Sequence, residues 1–451
     1  MTTESIGTNF RFRTLGEAGG AVDKAGRIDV QEWMTADETV AVMAALTAVG
    51  EPARFVGGCV RDAVLGRAAG DVDIATPAPP ETVIRRLEAA RIKAVATGID
   101  HGTITAVVGK AHFEITTLRR DVETFGRHAR VAFTDDWAAD AARRDFTMNA
   151  LFCDADGTLY DPTGGLADVR AGRVRFVGDA HARIAEDVLR LLRFFRFHAW
   201  YGRAPPDADA LAACRAMAGR LAGLSAERVW SELRRTLLAP DPAAALDLMA
   251  DNSVLDHVLA EARNRPRLAA LVALEARLGL DPDEIRRLVA VIDLAPEGAL
   301  GDLAPEGAPG DLAPDAAPGL ARRLRLARKQ ADRLAANLAH AGALSPRMDD
   351  RAIRRALHRL GADLVRDLVL TGWAGDGDDA WHGPWREAGD WRKVTFPLTG
   401  KDVLALGVAH GPAVGRALGR VEEWWIEHDF QPDRAACLER LADEAGGPGE
   451  G

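Results

Sequence analysis

Asp71-Val72-Asp73 sets two carboxylates two residues apart. On an extended strand alternate side chains share a face, so both would project together. Side-by-side oxygen ligands suit Mg2+, which takes one or two carboxylates and fills its shell with water and substrate phosphates. A D-x-D alone is common in unrelated chains. Just upstream, however, stands Gly57-Gly58-Cys59-Val60-Arg61-Asp62, which reads as the end of a strand turning into a helix. Two glycines there let a phosphate approach backbone N–H groups with no Cβ in the way. Arg61, in the first helical turn, is placed to hold a further phosphate oxygen. Glu114, in His112-Phe113-Glu114-Ile115-Thr116-Thr117, becomes a third carboxylate if its strand lies beside Asp71–Ile74. It would then ligate metal or help deprotonate an attacking hydroxyl. Otherwise it is an ordinary solvent-facing residue on an edge strand. Neither G-x-x-x-x-G-K-[ST] nor G-x-G-x-x-G is present, so P-loop and Rossmann readings lose their main support.

Stretches resembling strands must carry these residues. Arg54–Val56, Val72–Ala75, Thr103–Val108 and His112–Leu118 read as strands, the last two joined by a Gly109-Lys110 hairpin turn. A helix over 37–49, capped by Thr35 or Asp37, precedes them. Beyond 178 helical periodicity dominates: through 203, then 207–219, 225–237, 242–251, 257–278, 283–292, 320–341, 349–372, 400–408 and 411–427. The fold class is α+β, a small mixed sheet followed by an all-helical remainder. Three nonamers, DLAPEGALG, DLAPEGAPG and DLAPDAAPG, interrupt the helices over 293–319. Their prolines and glycines oppose a helix, and they offer little apolar surface to offset ordering, which predicts a disordered surface insertion.

The 451 residues exceed what one core serves. Apolar residues make up 47% and charged residues 27%, with ample material for burial. No apolar run approaches the roughly 20 residues of a membrane span, and the start lacks a signal-peptide pattern, so no membrane is expected and the cytoplasm is the expected location. Cys59, Cys153, Cys214 and Cys437 are widely spaced, which predicts buried free thiols rather than a zinc site or disulfide framework. The net charge of −10 does not itself predict a nucleic-acid partner, although arginines cluster at 183–203, 322–328 and 351–359.

GGCVRDAVLGR…DVDIAT, FEITTLR and RRDFTMNAL (143–151) resemble, in order, the head motifs of the class II tRNA nucleotidyltransferase and poly(A) polymerase family. VGDAHARIAEDVLRLLRFFRF (177–197) and SAERVWSEL (225–233) resemble its neck motifs, and FPLTGKDVLALGVAHGPAVGRALGRVEEWW (396–425) resembles its tail. The resemblance runs from about residue 54 to 430. Residues 1–30 are polar and aperiodic and read as a loose arm, and the resemblance implies a nucleotidyltransferase head over 31–165, a helical neck over 166–238, a helical body over 239–380 and a helical tail over 381–451. It puts nucleotide binding on Gly58, Arg61 and Arg144, metal binding on Asp71 and Asp73, and base reading on Asp187 and Arg190 of Glu186-Asp187-Val188-Leu189-Arg190. Arg193 and Arg196 match further nucleotide-binding arginines.

Spacing supports part of this. Asp187, Arg190 and Arg193 recur every three residues, so neighbours approach on a helix. An Asp accepts from an exocyclic amine and an Arg donates to a ring nitrogen or carbonyl oxygen. The alternative for this stretch is a solvated charged face opposite Leu189, Leu192 and Phe195. Val188 stands where the family often has proline, which should ease the start of the helix. Trp424-Trp425 reads as core packing ahead of an RNA-stacking pair.

The implied activity is template-free addition of C, C and A to tRNA 3′ ends from CTP and ATP, by two-metal attack of the 3′-hydroxyl on the α-phosphate with Mg2+ as cofactor. The expected partners are the tRNA acceptor end and the two nucleotides, with no obligate protein partner evident. CC-only members of the family lack the loop that follows the FEITTLR-like strand; here Arg119–Trp137, containing Gly126-Arg127-His128, is present. The chain's acidic end, ADEAGGPGEG, contrasts with the basic extension common in bacterial poly(A) polymerases. The alternatives are a poly(A) polymerase or a non-catalytic RNA-binding relic.

Overall fold

The structure, a computed structural model, describes residues 22–23, 26–125, 128–293 and 316–446. It divides into two compact units, 1–240 with 244–259, and 241–243 with 260–451.

The first unit opens with α1 (Glu32–Thr35) and α2 (Asp37–Thr47), then β1 (Arg54–Val56), α3 (Gly58–Val64), β2 (Val72–Thr76), α4 (Pro80–Ala89) and β3 (Lys93–Gly98). β4 (Thr103–Val108) and β5 (Ala111–Thr117) follow, then β6 (Arg119–Phe125) and β7 (His128–Phe133), α5 (Trp137–Ala142), β8 (Phe152–Cys153) and β9 (Leu159–Tyr160). Seven strands form one sheet in the order β3-β4-β5-β2-β1-β8-β9. β2 and β5 run parallel, while the other neighbours are antiparallel. Phe55, Ile74, Ile115 and Ile104 stand in register across four adjacent strands, and none is exposed. Such side chains contribute roughly 1.5–3 kcal/mol each on burial and fix which face of the sheet is inner. The next row, Asp73, Glu114 and Thr105, therefore projects from the opposite face.

The β4–β5 hairpin turns through Gly109-Lys110 as expected, with Gly109 at φ 59°. Other local expectations fail. α2 begins after Ala36 with no side-chain cap, and the Thr35 hydroxyl instead donates to the Glu32 carbonyl, closing α1. The end of the supposed loose arm is packed: Ile28 is buried and its N–H donates to the Gly157 carbonyl (2.9 Å). Arg119–Trp137, read as a loop, contains the β6–β7 hairpin, a separate two-stranded sheet; Gly126 and Arg127 lie outside the described residues. β3, β8 and β9 were not expected.

After α6 (Gly165–Ala171) the helix expected to run through 203 is two helices, α7 (Ala180–Glu186) and α8 (Leu189–Tyr201). Asp187 between them is extended at φ −147°, ψ 107°. α9 (Ala208–Met217) packs on α7, and α10 (Ala226–Leu237) packs on α8. α11 (Pro242–Asp251) and α12 (Asp256–Leu259) follow.

The second unit is helical: α13 (Arg265–Leu278), α14 (Glu284–Val291), α15 (Ala316–Arg323), α16 (Arg328–Ala339), α17 (Asp350–Leu360), α18 (Ala362–Asp376) and α19 (His382–Asp390), then α20 (Gly400–Ala405), α21 (Pro412–Glu427) and α22 (Arg434–Gly446). The expected helices 257–278, 320–341 and 349–372 are each broken in two. The nonamer residues 294–315 lie outside the described residues. The last four, Ala316–Gly319, open α15, because a proline is tolerated in a first turn where its missing N–H has no intrahelical partner. Trp425 is buried with Val403, Val421 and Leu441, and its indole N–H donates to the Pro432 carbonyl (3.0 Å), the packing role expected of it.

Candidate active site

Gly57 ends β1 at φ 75°, ψ −121°, a backbone conformation that L side chains rarely adopt. A side chain there would begin 3.8 Å from the Arg144 guanidinium and 3.7 Å from the Asn149 carbonyl. The turn thus brings the start of α3 against the segment that follows α5. On the neighbouring strand Asp73 pairs directly with Glu114 of β5, so the condition for a shared carboxylate row is met. Burial pushes the Asp73 carboxyl up to about 6, helped by the charges of Glu114 and then Asp71, with Arg144 pulling the other way. Negative charge is therefore concentrated here beyond what one arginine offsets. Among the described residues, no three or more His, Cys, Asp or Glu side chains form a group that could hold a metal ion. Glu114 stands directly opposite Asp73 in the register, and its charge acts on Asp73 more strongly than that of Asp71.

Arg144 is aimed by Asp140, which sits on α5 and is 1% exposed. Asp140 Oδ2 accepts from Arg144 Nε (3.1 Å) and Nη2 (2.8 Å), and its Oδ1 accepts from Arg143 Nε (2.8 Å) and the Arg119 N–H (3.2 Å). Burial would raise the Asp140 carboxyl, but Arg144 and Arg143 outweigh it and hold it below its ordinary range. Arg144 Nη1 makes none of these bonds and lies toward the Gly57 turn.

Arg61 is 6% exposed and most of its donors are committed. Nη1 donates to Asn149 Oδ1 (2.7 Å), Nη2 to the Tyr201 hydroxyl (2.6 Å) and to Asp62, and Nε to Asp62 (3.0 Å). Asn149 Nδ2 in turn donates to Asp145 Oδ1 (3.1 Å), and Asp145 Oδ2 accepts from Arg193 Nε (2.7 Å). Burial opposes ionisation of Asp145, yet Arg193, Asn149 and the Phe146 N–H together bring its carboxyl down to about 2. A continuous polar chain therefore joins α3, through the Arg143–Asn149 segment, to α8. Arg196 is directed to the buried Glu232 of α10 (2.5 Å). The guanidinium groups of Arg61, Arg193 and Arg196 all lie over the Phe197 ring.

The neck arginines are thus half-buried and ion-paired rather than a solvated face. Asp187 is not helical, so the one-face spacing argument fails for it. Val188, expected to ease the start of a helix, stands with φ −58° and ψ −24° at the N-cap of α8. Asp187 Oδ1 accepts from the Leu189 N–H (3.1 Å), and Oδ2 pairs with Arg228 of α10 (2.7 Å). Arg190 turns away from Asp187, pairing with Glu186 and donating to the carbonyls of Arg183 (3.1 Å) and Arg143 (3.3 Å). An open cavity of about 570 Å³ lies here, with Glu186, Asp187 and Val188 on one side and Arg220, Leu224 and Arg228 on the other.

Gly58, Arg61, Asp71, Asp73, Glu114 and Arg144 thus gather around one turn and one sheet face. Asp187 and Arg190 stand at the α7–α8 break, and Arg193 and Arg196 farther along α8. Sequence reasoning missed the residues that orient them: Asp140, Asp145, Asn149, Tyr201, Arg228 and Glu232. The only local signal was Asp140, which lies three and four residues before two arginines on a helical stretch.

The family described as "Poly A polymerase head domain" matches residues 53–175, and "Probable RNA and SrmB- binding site of polymerase A" matches 206–265. The mitochondrial CCA tRNA nucleotidyltransferase 1 of Mus musculus is 32% identical over 394 residues, covering 85% of each chain. The CCA-adding enzyme of Geobacillus stearothermophilus is 40% identical over 238 residues, 52% of this chain and 57% of that one. Among solved structures, that of the Bacillus stearothermophilus CCA-adding enzyme in complex with CTP matches with a TM-score of 0.68 at 28% identity, covering 90% of this chain and 96% of the other. A Thermotoga maritima CCA-adding enzyme shares the fold with a TM-score of 0.62 at 18% identity, covering 92% and 98%. With its head motifs gathered around one turn and 85% of its length aligned to such a relative, this chain belongs to the class II family of CCA-adding tRNA nucleotidyltransferases.

Proposed function

We infer that this protein adds C, C and A to the 3′ end of tRNA from CTP and ATP with no nucleic-acid template. The observation that carries the reading is the pairing of Asp73 with Glu114 beside the Gly57 turn, with Arg144 held against that turn. The RNA 3′-hydroxyl attacks the α-phosphate in line; a new P–O bond forms as the bond to the bridging oxygen breaks, and pyrophosphate leaves. Asp71 and Asp73 are the residues that would hold Mg2+. The fit rests on the donor set: a buried Asp73 carboxylate with Glu114 opposite it and Asp71 nearby is a group of like-charged oxygens whose burial and repulsion a divalent cation offsets. When bound, that cation lowers the pKa of the attacking hydroxyl and stabilises charge on the departing pyrophosphate. Glu114 is assigned to assist at the hydroxyl proton. Gly58 and Arg144 are assigned to the triphosphate, with Arg61 adding fixed positive charge while it braces α3. Asp187 and Arg190 are assigned to the base edge, and Arg193 and Arg196 to supporting that wall. A cellular site with tRNA, CTP and ATP together suffices, and we place it in the cytoplasm; the vertebrate relatives are named as mitochondrial. Among the described residues no helix is long and apolar enough to cross a membrane.

The test is incubation with tRNAs that end before, within and after CCA, with CTP and ATP offered singly and together. Completion to CCA and arrest there is the expected result. A long A ladder on RNA other than tRNA would indicate poly(A) synthesis instead, and no incorporation at all would overturn the reading.

A further inference from the structure

We propose that Arg228 is a positioning residue for base selection, fixing the Asp187 carboxylate in the orientation from which it reads the incoming base. The inference rests on the function proposed above. Asp187 lies in the extended break between α7 and α8, so no helical neighbours restrain its side chain. Two donors do. The Leu189 N–H on Oδ1 belongs to the start of α8 and comes with the break itself. The Arg228 guanidinium on Oδ2 comes from α10 and carries charge, with both partners only about a quarter exposed. Arg190, expected to work with Asp187, is engaged by Glu186 and two carbonyls instead, so it does not hold that carboxylate. Asp187 and Arg228 both line the 570 Å³ cavity, along with Gly219 and Gly223, which put no side chain into it. A carboxylate oxygen that accepts one hydrogen bond keeps a second lone pair, enough for the exocyclic amine of C or A. Without Arg228 the carboxylate samples other rotamers, and the amine loses a fixed acceptor while the triphosphate contacts stay as they were.

The experiment is single-turnover addition of each of the four nucleotides to tRNA lacking CCA, by the full-length wild type, R228A, R228K, D187A and the double variant D187A/R228A. R228A should lose roughly three- to ten-fold in selectivity for CTP over UTP, between the effects of a surface and a buried charged contact. R228K should recover most of it. In the double variant R228A should add nothing to D187A, because the two act through one carboxylate. Unchanged selectivity in R228A, or a loss that adds fully to that of D187A, would overturn the proposal. Where R228A does not fold, R228M, which keeps the apolar stem, is read by the same criteria. If the wild type itself fails to discriminate, the function proposed above is what fails; if D187A loses selectivity and R228A keeps it, only this inference does.

Discussion

Asp140→Asn isolates how the triphosphate arginine is held. Asp140 is nearly inaccessible, and three guanidinium hydrogen bonds of 2.8–3.1 Å converge on its carboxylate. The arginine side chains are 14% and 17% exposed, so solvent screens these pairs little. Removing one partner of a buried ion pair costs about 3–5 kcal/mol, and the lower end applies because Asn keeps an acceptor oxygen. At about 2–4 °C per kcal/mol for a unit of this size, the first unit should melt about 6–12 °C lower. Scanning calorimetry reads this as a shift of one transition, since two compact units need not unfold together. The sign with pH is fixed. Asp140 is held below its ordinary value when folded, so its stabilisation is present above about pH 4 and lost as pH falls further. The gap between wild type and variant should therefore close in acid. The variant should also show a raised KM for CTP, because Arg144 is no longer aimed at the Gly57 turn. A melting point within 2 °C of wild type at pH 7, by the about 2–4 °C per kcal/mol above, would refute the reasoning.

Asp71→Asn and Asp73→Asn should each abolish nucleotide addition while tRNA binding, followed by filter retention, stays near wild type; near-normal turnover in both would remove them as metal ligands. Asp187→Ala and Arg190→Ala should each blunt discrimination against UTP and GTP by roughly one to two decades, more than they slow a forced CTP addition. If all four rates fall together with discrimination intact, the pair is structural. Replacing 294–315 with a short Gly-Ser linker should leave activity and melting temperature unchanged within error, since its composition offers no core; a large loss of either would show that the nonamers pack or bind. The replaced span stops at 315 because Ala316–Gly319 belong to α15.

The parts legible in the sequence are those with a local physical signature. The β4–β5 hairpin was legible because alternation on both sides met a glycine turn, and the aspartate pair because a strand follows a double glycine. The β6–β7 hairpin was not, because four of the seven residues of RRDVETF are charged, so the alternation in the short HARVAF run had no apolar partner run to pair with. The α7–α8 break was missed because Val188 is no helix breaker; the break coincides with tertiary partners, Arg228 on Asp187 and Arg143 on Arg190, far away in sequence. The same holds for Tyr201 on Arg61 and Glu232 on Arg196. Side-chain partners of that separation leave no periodic trace, so the residues that bear the chemistry could be named while those that aim them could not.

The parallel pairing of β2 with β5 also governs when the site can come into being. Parallel strands cannot be joined by a tight turn, and α4, β3 and β4 lie between these two in sequence. No contiguous peptide therefore contains a nascent version of the site: Asp73 and Glu114 become neighbours only once the crossover has closed, a step whose loop entropy must be met before any contact rewards it. During synthesis, a chain halted before Ile115 carries Asp71, Asp73 and Glu114 without the completed parallel pairing that sets Asp73 opposite Glu114, and without Arg144. Fragments of the head that stop short of β5 therefore lack the strand on which Glu114 meets Asp73.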